Sequence, residues 1–435
     1  MSQQIKIRAK ERNAIITSLR SGVVPRIGLQ HIQVGRALEV KNILNDIETV
    51  ADGGSSFRLV IGEYGSGKTF FMNLVRTVAL EKRLVTVHAD MTPERRLHST
   101  KGQGQALYKE LVRNLATRAK PEGGALASVV EKFISVALQE SRRDGVEASQ
   151  IIHTRLHGLT ELVGGYDFAD VINAYWKGHD SGNEQLKDDA IRWLRGEFTT
   201  KTEAISALGV RTFINDSSMY DYLKILSRFV RLAGYDGLLV CVDEMVNIYK
   251  INHSVSRKNN YEQLLRILND ALQGNCEGLF FLMGGTPDFL FDARRGLFSY
   301  EALQSRLAIN SFASGEYVDM SGPVINLAKL TPEDMYLLLE RLRHVFASGL
   351  QEKYALPDEA LTKFLEHCHQ NIGQAYFETP RNTIKAFLDL LAILEQNPNA
   401  SWTELLHSVS VEQDYADSDM ELVTSNDDEL ATFRI

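Results

Sequence analysis

Cysteine is scarce: Cys241, Cys276 and Cys368 are the three in 435 residues. None belongs to a CxxC pair, so neither a zinc site nor a disulfide framework is indicated. That usage fits a reducing compartment, and the cytoplasm is the expected location. No apolar run reaches the roughly eighteen residues that a membrane-spanning helix needs. The start, Met1-Ser2-Gln3-Gln4-Ile5-Lys6, is polar and does not read as a secretory leader. No internal repeat is visible, which excludes a solenoid. There is no helix-turn-helix pattern and no basic stretch interleaved with aromatics, so sequence-specific reading of nucleic acid is not expected.

Charge is distributed unevenly. The formal net charge is −8, yet residues 386–435 hold eleven acids and one base, Arg434. The body, residues 1–385, is near neutral at +2. A near-neutral body can still carry a basic face for non-specific DNA contact. Two stretches offer themselves: Lys6, Arg8, Lys10 and Arg12, and then Arg95-Arg96-Leu97-His98. The tail from Glu412 to Glu429 has no lysine or arginine and reads as a solvated, flexible end.

What is present is sharper. Residues 62–69 read Gly62-Glu63-Tyr64-Gly65-Ser66-Gly67-Lys68-Thr69, a complete GxxxxGK[ST] phosphate-binding loop. The run Phe57-Arg58-Leu59-Val60-Ile61 before it has strand character, and Phe70-Phe71-Met72 after it opens a helix. Glycines let the backbone turn its N–H groups onto a phosphate, and the helix start adds partial positive charge. Lys68 is placed to reach the β- and γ-phosphates of ATP, and Thr69 to bind Mg²⁺. The residues assigned to nucleotide contact are Gly62 through Phe70.

A second element is Leu238-Leu239-Val240-Cys241-Val242 running into Asp243-Glu244. A short apolar run without alternation suits a parallel strand buried on both faces. A carboxylate at its end, Asp243, can hold the Mg²⁺ shell, and Glu244 can polarise the attacking water.

The chain order predicts an α/β core with a parallel sheet. Strands are expected at 57–61, 83–89, 237–242, 278–286 and 323–327. Helices are expected up to Val50, over 102–116, over 258–273 with Leu264, Leu265, Ile267, Leu268, Ala271 and Leu272 on its apolar side, over 301–308, and throughout after Thr331-Pro332-Glu333-Asp334. That last start has a threonine cap, proline at the first helical position and acids in the first turn. Lys68 and Asp243 are 175 residues apart. A helical insertion over about 120–216 accounts for the distance and holds Trp176 and Trp193. The expected organisation is a basic and helical segment at 1–30, a nucleotide-binding core at 31–330, a helical lid at 331–406 and the acidic tail at 407–435.

This order of parts resembles an AAA+ ATPase, of the branch related to origin-recognition and STAND-type proteins. Val34-Gly35-Arg36 with Glu39 resembles the box before the first strand, which implies that Gly35 and Arg36 lie over the adenine. By the same resemblance Thr286 stands for sensor 1, Arg381 in Thr379-Pro380-Arg381-Asn382 for sensor 2, and Arg306 for the arginine finger. Arg294 and Arg295 are alternatives to Arg306. More narrowly, residues 10–395 resemble the ATP-binding proteins of BREX phage-defence loci, the BrxD-like branch of a BrxC/BrxD P-loop family. The residues that carry this are Val34 to Glu39, Gly62 to Phe71, Leu84 to Glu94, Gly234 to Val240 and Thr379 to Asn382. The resemblance implies a prokaryotic defence ATPase beside helicases, nucleases or methyltransferases.

Three functions compete. The first is an oligomerising ATPase acting on or near DNA, with Arg306 completing a neighbour's site. The second is a nucleotide-gated switch, in which ATP orders residues 331–400 and a partner effector reads that state. The third, a small-molecule kinase, explains the phosphate loop but not Asp243-Glu244 with a large helical lid.

Overall fold

Five apolar runs pair as one parallel sheet. They are β1 (Ser55–Ile61), β2 (Val85–Asp90), β3 (Leu238–Asp243), β4 (Leu279–Gly285) and β5 (Val324–Asn326), in the order β2-β3-β4-β1-β5. The computed structural model describes residues 7–310, 319–378 and 380–408. The expected acidic tail therefore lies almost wholly outside the described residues.

Successive residues of a strand point to opposite faces, and both faces of this sheet are covered. One face presents Val60, Leu239, Cys241, Phe280 and Leu282 to the helices Ala37–Ala51 and Lys68–Glu81. The other presents Leu59, Val87, Val240, Phe281 and Met283 to Gln103–Arg113, Met219–Leu232 and Ser254–Leu272. Burial on both sides explains why these strands read as continuous apolar runs. Cys241 is one of the buried positions and is a core residue.

Seven helices stand between β2 and β3 among the described residues, from Gln103–Arg113 to Met219–Leu232. Their starts and stops are local. Asn183 and Thr200 cap helices at Glu184–Leu194 and Lys201–Leu208 through their side chains. Gly145, Gly182 and Gly209 end helices in the left-handed region. Phe229 packs its ring 5.2 Å from Phe133 and 5.3 Å from Phe168. Trp193 is fully buried and donates its indole N–H to the Thr212 carbonyl at 2.8 Å. Trp176 is only half-buried.

The chain divides into two units. One comprises the described residues of Met1–Val34, Tyr64–Ser66 and Lys329–Ile435; the other is Gly35–Glu63 with Gly67–Ala328. In the first unit the helix Ala9–Arg20 packs on Arg381–Gln396 and Pro332–Phe346. Arg12 donates to the Phe346 carbonyl at 2.6 Å and to Glu395 at 2.8 Å, and Arg20 pairs with Asp389 at 2.8 Å. Arg12, read from sequence as part of a basic face, is thus occupied by structural partners. Thr331 caps its helix as expected, and with Asp334 it completes a capping box.

Two expectations shift. The helix expected at 258 begins at Ser254, because His253 caps it through its side chain. Leu272 is 58 % exposed rather than on the apolar side, because the helix turns that position outward at its last residue.

Arg58 of β1 is a buried charge in the second unit. It donates to both carboxylate oxygens of Asp46, at 2.7 and 2.9 Å, and to the carbonyls of Met320 and Gly322. These bonds tie the strand that enters the phosphate loop to the segment leading into β5. Removing one partner leaves a buried charge unmatched, which costs about 3–5 kcal/mol. Asp46→Ala is expected to lose that much stability, read from the midpoint shift in a urea titration. A loss under about 1 kcal/mol would mean that water already reaches Arg58.

Candidate functional site

All strands being parallel, their C-terminal ends share one edge of the sheet. Register fixes who meets there: Ile61 of β1 pairs with Gly285 of β4, and Asp90 of β2 pairs with Asp243 of β3. Ligands of open parallel sheets bind at this edge.

Beyond β1 the chain turns sharply. Gly65 and Gly67 adopt φ of +79° and +83°, a region costly for any residue with a Cβ. The helix Lys68–Glu81 starts immediately after Gly67. The Lys68 ammonium donates to the carbonyls of Gly62 at 2.7 Å and Glu63 at 2.8 Å. Burial lowers its pKa, against the pull of Asp243, Glu244 and Glu63.

Thr69 closes the centre. Its hydroxyl donates to Asp243 Oδ2 at 2.9 Å, across 174 residues of sequence. The other oxygen, Oδ1, accepts from the Glu244 amide at 2.8 Å. A hydroxyl and a carboxylate side by side are hard oxygen donors of the kind that suits Mg²⁺, so the residues fit that ion. Glu244 itself sits at φ +57°, the left-handed region. Its carboxyl keeps an exposed edge, and crowding by protein raises its pKa first, followed by the charges of Asp243 and Asp90.

Sequence reasoning passed over three residues here. Asp90 ends β2 beside Asp243, and its pKa is raised by desolvation and then by Asp243. The signal was available: an apolar strand ending in an acid, as used for Asp243. Gly284 is bare where a Cβ would lie 2.3 Å from Asp243 Oδ1 and 2.7 Å from Met72 Sδ. Asn247 donates to the carbonyls of Met91 at 2.8 Å and Glu244 at 3.3 Å. Neither of the last two has a local signature, since each acts across strands.

The remaining expected residues lie as follows. Gly35 and Arg36 take successive left-handed conformations, φ +60° and +63°, and Arg36 caps the helix Ala37–Ala51. Arg36 pairs with Glu39 at 3.6 Å and donates to the Ala328 carbonyl. Ser66 is buried, Glu63 and Thr69 are exposed, and Phe70 is half-buried. Thr286 directly follows β4, and its hydroxyl accepts from the Phe289 amide at 3.4 Å, capping the helix Pro287–Phe291. Arg306 is exposed; it donates to Asn269 at 2.5 Å and to Ala302 of its own helix at 2.8 Å. Arg295 donates to the Tyr249 carbonyl at 3.2 Å, and the Arg294 amide to Asp292 at 2.7 Å. In the first unit, Arg381 opens the helix Arg381–Gln396 and donates to the Tyr64 hydroxyl at 3.0 Å. Lys68, Thr69, Asp243 and Glu244 are thus brought together, whereas no hydrogen bond joins Thr286 or Arg306 to them among the described residues.

No helix among the described residues is long and apolar enough to cross a membrane, and none of their acid, histidine or cysteine groups forms a metal cluster.

Gly284→Ala is expected to push Asp243 off Thr69. ATP affinity in the presence of Mg²⁺ should fall about tenfold or more, the scale of losing an outer partner of a metal ligand. Titration calorimetry checks this, with circular dichroism for the fold. An unchanged affinity would mean that the Asp243 carboxylate has room to move aside.

The chain belongs to the family described as BREX system ATP-binding protein BrxC/D, which matches residues 7–410. No curated protein matches it. As a member of that family it is an ATP-binding protein of a phage-defence system, and it works among other proteins of that system.

Proposed function

Starting from that membership, we propose that this protein is a Mg²⁺-dependent ATPase with an AAA+-type P-loop core, working as an oligomer on or near DNA. The observation that carries hydrolysis, beyond binding, is the 2.9 Å hydrogen bond between Thr69 and Asp243, with Glu244 next in the chain.

In this reading the loop Gly62–Thr69 wraps the phosphates with its amides. Lys68 leaves the carbonyls of Gly62 and Glu63 for the phosphate oxygens, which are stronger partners for an ammonium. Thr69 and Asp243 would hold Mg²⁺, which when bound would supply positive charge toward the transferred phosphoryl group. Glu244 accepts the proton of the attacking water. Its raised pKa makes it a better base than an ordinary surface glutamate. Gly35 and Arg36 form the wall toward the adenine, and Thr286 orients water near the γ-phosphate. Arg306, on the exposed face of its helix, is the cation offered to a neighbouring subunit; leaving Asn269 would free it.

The hydrogen bond from Arg381 to Tyr64 favours a second reading. A residue of the phosphate loop is held there by a helix of the 331–406 region. ATP that displaced Tyr64 would change that bond, and a partner effector could read the change without DNA.

Steady-state ATP hydrolysis separates the two. It is measured across protein concentration, with and without duplex DNA, with Glu244→Gln as the blank. The ATPase reading expects specific activity to rise with both. Glu244→Gln should bind ATP normally and turn over at least about a hundredfold more slowly, the scale of a lost general base. Lys68→Ala should abolish productive binding. Flat, negligible turnover with ATP bound would replace the ATPase reading with the switch. Normal turnover by Glu244→Gln would remove Glu244 from the chemistry.

A further inference from the structure

We propose that the segments following β2 and β3 form a surface for the phosphate backbone of duplex DNA, and that Asn247 ties this surface to Glu244. The inference deepens the DNA-linked reading above and rests on it.

Residues 92–101 and 250–258 hold six lysines and arginines and one acid, Glu94. The segments form one surface. Arg96 donates to the Ser256 hydroxyl at 3.4 Å, and the buried Asn260 exchanges hydrogen bonds with the His98 backbone at 3.0 and 3.1 Å. Arg95 and Arg257 donate to main-chain carbonyls, of Asp90 at 3.2 Å and Ile251 at 2.6 Å. Lys258 lies 5.8 Å over the Tyr300 ring, and Lys250 is exposed. Among the described residues none of these four forms an ion pair, although the charge of Arg95 reaches Asp90 and that of Lys250 reaches Glu244. Neither segment contains phenylalanine, tyrosine or tryptophan, and the neighbouring Tyr300 ring is half-buried, so there is little platform on which unpaired bases could stack. A cluster of cations with little stacking surface suits the backbone of a duplex.

The same loops reach the catalytic edge. The Met91 amide donates to the Asp243 carbonyl at 2.9 Å. Asn247 bridges the carbonyls of Met91 and Glu244, where the backbone of Glu244 is held in the left-handed region. A phosphate that pulls on Arg95 or Lys250 therefore moves a segment bonded to Glu244.

The test has two arms. In the first, fluorescence anisotropy follows a labelled duplex without nucleotide, over a range of salt. Binding should weaken with salt, and the log–log slope should shrink by about one for each of Lys250→Gln and Lys258→Gln. Both positions are exposed, and circular dichroism verifies folding. No duplex binding, an unchanged slope in the double variant, or tighter binding of a single strand would overturn the surface. This arm uses no ATP, so its outcome is independent of whether ATP is hydrolysed. In the second, Asn247→Ala should keep duplex affinity while the ratio of DNA-stimulated to basal hydrolysis falls to about one. A wild-type ratio in that variant, or no stimulation of the wild-type protein, would overturn the coupling.

Discussion

The hydrogen bond from Thr69 to Asp243 is the constraint on which the site depends. It joins residues 174 positions apart, and local structure alone could not bring them together. The parallel sheet does so. β1 and β3 both pair with β4, so the two loops that follow them leave the same edge with β4 between them. A side chain on β4 at that edge would stand between the loops. Gly284 has none, and Asp243 occupies the space that a Cβ would take. The centre is therefore set by three strands, of which the middle one contributes an absence.

Much of this was legible in the sequence because it is local. The phosphate loop, the five strands and the Thr331 cap each depend on neighbours within a few residues, and each lies close to where pattern and turn chemistry place it. Asp243 was legible for the same reason, as an acid closing an apolar run. Asp90 carries the same signal in weaker form, because His88 interrupts its strand. Gly284 and Asn247 were not legible. Their meaning comes from cross-strand register and from carbonyls far away in sequence, which no periodicity encodes. Arg12 shows the converse. Its charge suggested a face for phosphate, and its partners Phe346 and Glu395 lie more than three hundred residues later.

The backbone at Glu244 adds a second argument. A residue with a Cβ at φ +57° costs about 1–3 kcal/mol, which neighbouring bonds must offset. Here its amide donates to Asp243, and the Met245 amide donates to the Gly284 carbonyl at 2.9 Å. Asn247 adds the third restraint from the side of β2. Such a position holds only while its restraints agree. Loosening one gives the carboxylate a lower-energy backbone to relax into, away from the line set by Thr69 and Asp243. Control of this glutamate does not require a ligand to touch it. A shift in β4 or in the loop after β2 is sufficient, because the strain supplies the driving force and the restraints decide whether it is released.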